Sequence, residues 1–172
     1  MVSLCDLFKV RDTVSIDRGG MIPFCKIADG HFRLLMGKKR RTGKYSDFGG
    51  GIKKYESFVQ GTQREFTEEI NGVLELDIET LLVKDDCIIL AHRTKRADVP
   101  AYYVELLVPI VEDKSLVWKF GFGKNNEHWN IRWLDVIRDA NGKMQFKHID
   151  WHQFDGSVKP HILAILDILE RL

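Results

Sequence analysis

Short apolar runs separated by polar breaks dominate the chain. Met21 to Ile27 and Phe32 to Met36 have the length and character of strands. Between them, Ala28-Asp29-Gly30 supplies a residue at ease with positive φ, so a β-hairpin is expected. Further strands are expected at Leu74 to Ile78, Leu81 to Lys84, Cys87 to Arg93, Tyr102 to Val111 and Ile131 to Val136, with turn or loop chemistry at Asp85-Asp86 and Lys119 to Asn126. Two segments change to a helical period. Phe58, Phe66 and Ile70 mark one face of an amphipathic helix over Phe58 to Ile70, weakened by Gly61. Near the end, Ile162, Ile165, Leu166, Leu169 and Leu172 form an apolar stripe, with Ser157 as the expected cap and Pro160 in the first turn. Strands interleaved with two helices predict a mixed α/β domain, with helices packed on both sides of a mixed sheet. Phe48-Gly49-Gly50-Gly51 reads as a loop whose glycines permit a backbone that side chains would forbid.

At 172 residues, 44% hydrophobic and 30% charged, the chain has material for one core. A single domain over residues 1–172 is therefore expected. No repeat, low-complexity tract or proline-rich linker marks a boundary. The formal net charge of +1 gives no global attraction to nucleic acid or to an acidic membrane. Asp6 and Lys9 interrupt the apolar N-terminus, and the apolar runs are too short to cross a bilayer, so a protein without membrane association is expected. Cys5, Cys25 and Cys87 are odd in number, widely spaced and free of any Cys-x-x-Cys pair. They suit a reducing, cytoplasmic setting better than a disulfide framework or a structural zinc site.

Local charge carries more information than the total. From Arg33 to Lys54, eight basic residues face Asp47 alone, a local net of +7; from Tyr55 to Glu79, seven acids face Arg64 alone, a local net of −6. Such segregation suggests a polyanion and a metal meeting at one place. Glu65, Glu68 and Glu69 stand at i, i+3 and i+4, on one face of the expected helix. Carboxylates so close repel one another unless a hard divalent cation neutralises them, and oxygen donors select Mg²⁺ or Mn²⁺ over zinc. Taken alone, the triplet reads better as a solvated acidic helix face, since such triplets are common on surface helices. His148-x3-His152 has a metal-like spacing without a third ligand and reads as a turn.

The context of the triplet is specific. Gly50, five residues, Glu56, seven residues, then Arg64-Glu65-Phe66-Thr67-Glu68-Glu69 resembles the box of the Nudix hydrolases, G-x5-E-x7-R-E-U-x-E-E-x-G-U, with Phe66 standing in for a bulky aliphatic residue. The chain departs from the pattern at Asn71, which holds the usual glycine position, at Gly72, and at Phe48, where many members have proline. The likeness extends to the hairpin, to Gly37-Lys38-Lys39-Arg40 and to the closing helix. It leaves residues 1–20 as an extension of unassigned role.

The resemblance implies a Nudix-type α/β/α sandwich. It implies that Glu65, Glu68 and Glu69 and the carbonyl of Gly49 ligate Mg²⁺, with Mn²⁺ as a substitute. It implies that Glu56 pairs with Arg64 to fix the loop against the helix; Arg64 alternatively serves Glu68 one turn on. A base is needed to take a proton from the attacking water. A box glutamate, Glu65 or Glu68, or the later acid Glu127 would fill that role, and Glu127 is equally readable as a plain loop acid. Lys38, Arg40 and Lys44 are the candidate phosphate ligands. Tyr103, Phe122 and Trp129 are candidate stacking rings among many that must fill the core. The implied activity is hydrolysis of a pyrophosphate bond in a nucleoside diphosphate linked to another group: a nucleoside triphosphate, a nucleotide sugar or capped RNA. Residues 87 to 90, Cys-Ile-Ile-Leu, carry neither the Pro of ADP-ribose enzymes nor the Tyr of dinucleotide polyphosphate enzymes. A catalytically silent module that binds a nucleotide or partner is the alternative, and a homodimer is compatible with the family.

Overall fold

A computed structural model describes residues 15–94, 101–121 and 127–172. Strands β1 (Ser15–Lys26), β2 (Phe32–Lys39), β3 (Tyr45–Ser46), β4 (Phe48–Gly51), β5 (Ile88–Thr94), β6 (Ala101–Pro109), β7 (His128–Arg138) and β8 (Met144–Phe146) join helices α1 (Phe58–Glu69), α2 (Ile78–Val83), α3 (Ser115–Lys119) and α4 (Lys159–Leu169). Among the described residues the strands form one mixed sheet in the order β5-β6-β1-β2-β7-β8, with β3 on β2 and β4 on β1. β1 and β6 run parallel and the remaining pairs antiparallel.

Period-2 alternation explains why the sheet carries a core on each face. Ile22, Phe24, Leu34, Met36 and Leu107 pack with Ile162, Ile165 and Leu169 of α4. Their chain neighbours Met21, Leu35 and Leu106 pack on the other face with Phe48, Phe66, Ile70, Ile78 and Leu82. The central strands are therefore apolar without a polar side, as strands buried on both faces must be.

The hairpin closes through a 3-10 turn at Ala28–Gly30, with Asp29 and Gly30 both at positive φ, 61° and 70°. α1 opens with a capping box between Ser57 and Gln60. Its interior Gly61 is required by packing, because a Cβ there would press on Ile52 and Glu56 of the preceding loop.

Several local expectations are corrected. Leu74 to Ile78 and Leu81 to Lys84 are not strands: Asp77 accepts from the amides of Glu79 (3.1 Å) and Thr80 (3.3 Å) and caps helix α2, which buries Ile78 and Leu82 one turn apart. The cap decides what a short apolar run leaves ambiguous. The glycine stretch is strand β4 rather than a loop, because Gly49 and Gly50 pair with Gly20 and Gly19 of β1. β1 itself begins at Ser15, inside the segment set apart as an extension. Helix α3, Ser115–Lys119, was not foreseen and ends where the expected loop begins; residues 122–126 of that loop lie outside the described ones. Ser157 does not cap α4: its hydroxyl donates to Asp155 (2.8 Å), and Val158 holds the cap position.

Candidate active site

The fold brings β4 against the last turns of α1. Gly49 N–H donates to Glu69 Oε2 at 2.6 Å. A Cβ at Gly50 would overlap the Glu65 carboxylate, so only glycine lets that side chain lie on the strand. Two carboxylates thus rest on two consecutive glycines, one turn apart on the helix. Glu68, on the same helix, is exposed.

Arg64 fixes this arrangement. Its Nε and Nη2 grip Glu56 at 2.6 and 3.0 Å, Nη2 also donates to the Gly51 carbonyl at 3.0 Å, and Nη1 reaches Glu65 at 2.6 Å and Glu68 at 3.3 Å. Glu56 further accepts from Lys53 N–H at 2.9 Å. The guanidinium, with help from that amide, holds the Glu56 carboxyl down at about 2. One arginine therefore ties loop, strand and helix together, and both readings of Arg64, toward Glu56 and toward Glu68, are present in the geometry.

Glu69 is 5% exposed. Burial, followed by the neighbouring Asp47 carboxylate, pushes its carboxyl up to about 9 against the pull of the Gly49 amide. His128 Nδ1 lies 3.9 Å from Glu69 Oε2, and burial lowers that imidazole to about 4, so the pair is two neutral groups near neutral pH.

The remaining candidates are scattered around this centre. The Arg40 amide donates to the Glu127 carbonyl at 2.8 Å, which ties an exposed basic residue to the exposed candidate base. Glu127 immediately precedes His128, the neighbour of Glu69. Lys38 Nζ sits 5.5 Å from the Tyr45 ring centre and 5.9 Å from that of Trp129, in contact with aromatic faces. Lys44 is half-buried in the turn before β3, its carbonyl accepting from the Lys39 amide at 2.9 Å. Trp129 is 49% exposed and remains open to a ring, whereas Tyr103 is 1% exposed and belongs to the core. Phe122 lies outside the described residues. His148 stands at φ 60°, in a turn.

The sequence reading missed a buried polar group behind the glycines. Arg18, Asp47, Tyr103 and Glu105 meet there, with Asp47 and Glu105 almost fully buried. Tyr103 Oη donates to Asp47, Ser46 Oγ donates to the same carboxylate at 2.7 Å, and Arg18 Nη2 donates to the Gly49 carbonyl at 3.1 Å. Two signals existed. Asp47 is the lone acid of the basic run, and Glu105 is a charge inside an apolar strand.

Among the described residues, no three His, Cys, Asp or Glu side chains converge as a metal cage. The donor chemistry nevertheless fits a hard divalent cation. Glu65, Glu68, Glu69 and the Gly49 carbonyl offer oxygen only, and a cation would offset the burial and the Asp47 charge that raise the Glu69 carboxyl. An ion there would share the Glu65 and Glu69 oxygens with Arg64 and the Gly49 amide, and the Gly49 carbonyl with Arg18.

No protein-family model matches the chain. No curated protein matches it either. Solved structures do. A MutT/nudix family protein from Enterococcus faecalis shares 14% identity over 86% of this chain and 56% of its own, with a TM-score of 0.52. The Nudix hydrolase RenU from M. Smegmatis shares 10% identity over 89% of this chain and 87% of its own, with a TM-score of 0.53. A bifunctional NMN adenylyltransferase/ADP ribose pyrophosphatase from Francisella tularensis, complexed with AMP and a Mn ion, shares 14% over 95% of this chain and 44% of its own, with a TM-score of 0.53. This chain thus spans little more than half of the Enterococcus protein. At these identities the likeness is one of fold: the chain adopts the Nudix α/β/α sandwich.

Proposed function

We propose that the chain is a Nudix-type hydrolase that cleaves a pyrophosphate bond in a nucleoside diphosphate linked to another group. The observation that carries the reading is the placement of Glu65 and Glu69 on Gly50 and Gly49, with Arg64 locking helix to strand. Mg²⁺ or Mn²⁺, held by Glu65, Glu68, Glu69 and the Gly49 carbonyl, would supply the charge that polarises the anhydride and eases proton loss from water. The residues of the chain do the rest. Water adds to phosphorus, the bridging P–O bond breaks and a phosphate leaves. Glu65, Glu68 or Glu127 takes the water's proton, and Lys38, Arg40 and Lys44 meet the phosphates. Triphosphates, nucleotide sugars and capped RNA all present that anhydride. A cytoplasmic enzyme would meet each, and among the described residues no helix is long and apolar enough to cross a membrane.

The test is a panel of those substrates with Mg²⁺, products identified by mass, alongside Glu69→Gln. Turnover by the wild type, and its loss by orders of magnitude in the variant, is expected; equal turnover in the variant removes Glu69 from the mechanism. One observation favours a second reading, a silent binding module: Glu65 is engaged by Arg64 and Glu69 by Gly49 rather than convergent. Binding of panel members without turnover of any would select it.

A further inference from the structure

Resting on the hydrolase reading above, we propose that Arg18 is the residue that grips the diphosphate of the substrate. Arg18 projects from β1 and stacks on the Tyr103 ring, its guanidinium carbon 4.9 Å from the ring centre. Its Nη2 donates to the Gly49 carbonyl at 3.1 Å, on the same residue whose amide holds Glu69. A guanidinium carries five N–H donors, and its Nε here is buried without a partner. The side chain is half-buried as a whole, and its Nη2 already touches the peptide against which Glu69 rests.

Rigidity distinguishes this cation from an ordinary surface arginine. Tyr103 is held by its hydroxyl on Asp47, and Asp47 by the Ser46 hydroxyl. Asp47 and the fully buried Glu105, the latter 3.8 Å from His161 Nδ1, flank the stack. Burial works against the Arg18 charge, and Tyr103 and Asp47 together outweigh it. Neighbouring cations have other commitments. Lys39 pairs with Asp155 at 3.6 Å and Arg64 spans Glu56, Glu65 and Gly51, which leaves Lys38, Arg40 and Lys44 for the outer phosphates. The planar fork of arginine matches two phosphate oxygens, which a lysine ammonium does not. The ligand class is a diphosphate anion carried with a divalent cation.

The experiment measures binding of methylenediphosphonate, which cannot be hydrolysed, by calorimetry in Mg²⁺. Mn²⁺ binding alone is followed by electron spin resonance. Arg18→Gln is expected to weaken diphosphonate binding about 10- to 100-fold, the worth of a charge-assisted pair, and to raise KM for any panel substrate more than it lowers kcat. Mn²⁺ affinity should change less than diphosphonate affinity does, since Arg18 touches the cation site only through the Gly49 carbonyl. Arg18→Lys keeps the charge beside Asp47 and Tyr103, so it serves if the glutamine variant does not fold; an intermediate loss is expected. Diphosphonate affinity unchanged in either folded variant, or lost only in step with Mn²⁺ affinity, overturns the role and leaves Arg18 a strut for Gly49. A wild-type protein that binds neither Mn²⁺ nor diphosphonate removes the hydrolase reading first, and the proposal with it.

Discussion

Replacing Glu69 by glutamine should make the protein more stable while removing its chemistry. In the folded chain the Glu69 carboxyl titrates at about 9, against an ordinary 4.5, because it is buried beside Asp47. A carboxyl raised in this way costs nothing below pH 4.5. Above it the unfolded chain releases the proton and the folded chain does not, so stability falls with rising pH until the folded group itself ionises near 9. Neutral pH lies two and a half units above 4.5, and each unit is worth about 1.36 kcal/mol, which gives a penalty of roughly 3 kcal/mol at pH 7. Glutamine keeps an oxygen to accept from Gly49 and carries no charge to bury. Urea unfolding of the full chain in EDTA should therefore show Glu69→Gln more stable by about 3 kcal/mol at pH 7, a rise in Tm of about 10 °C. The gain should shrink below about 1 kcal/mol at pH 5. Mn²⁺ binding should disappear in the same variant. A gain that does not change between pH 5 and 7, or a variant less stable than wild type at both, would refute the assignment of a buried, neutral Glu69.

Arg64→Lys cannot span Glu56, Glu65 and the Gly51 carbonyl together, so Mn²⁺ affinity measured by spin resonance should fall about 10- to 100-fold with secondary structure retained by circular dichroism. Gly50→Ala drives a methyl group into the Glu65 carboxylate; the same assay should show weaker Mn²⁺ binding, and unchanged affinity would mean that Glu65 is not a ligand. Asn71 leaves α1 at φ 57° and donates to the Phe120 carbonyl at 3.1 Å, so Asn71→Ala should lose about 2 kcal/mol in urea unfolding, whereas Asn71→Gly recovers the backbone part of that loss. His161 is held at about 4 by burial and then by His92. The unfolded chain protonates first as pH falls from 6.5, so stability drops toward pH 4, and His161→Gln should flatten that fall by about 3 kcal/mol at pH 4.

How legible the molecule was follows from which forces write themselves into short windows. The hairpin is readable because Asp29-Gly30 sits between two apolar runs, and α1 because Phe66 and Ile70 keep the helical period. α2 was not, because Ile78 and Leu82 satisfy a strand pattern as well as a helical one, and only the Asp77 side chain selects between them. β4 was misread for a related reason. Glycines signal freedom in a single sequence, yet here four of them face each other across two strands so that backbones approach closely. The spacing of Glu56, Arg64, Glu65 and Glu69 was plain, but the contribution of β1 was not, since Arg18 reaches Gly49 across 31 residues of chain.

That distance bears on what the glycine strand is for. A carboxylate on a helix can be solvated cheaply, and Glu68 shows it by lying exposed. Glu69, one position on, is instead buried where Asp47 repels it, at a cost that ordinary folding would select against. Gly49 makes the burial tolerable by offering its amide to Glu69 while its carbonyl is held by Arg18. The peptide is thus gripped from α1 at one atom and from β1 at the other. A buried carboxylate set against one peptide, with supports from two elements distant in sequence, is what a preorganised cation site requires and what stability alone does not explain.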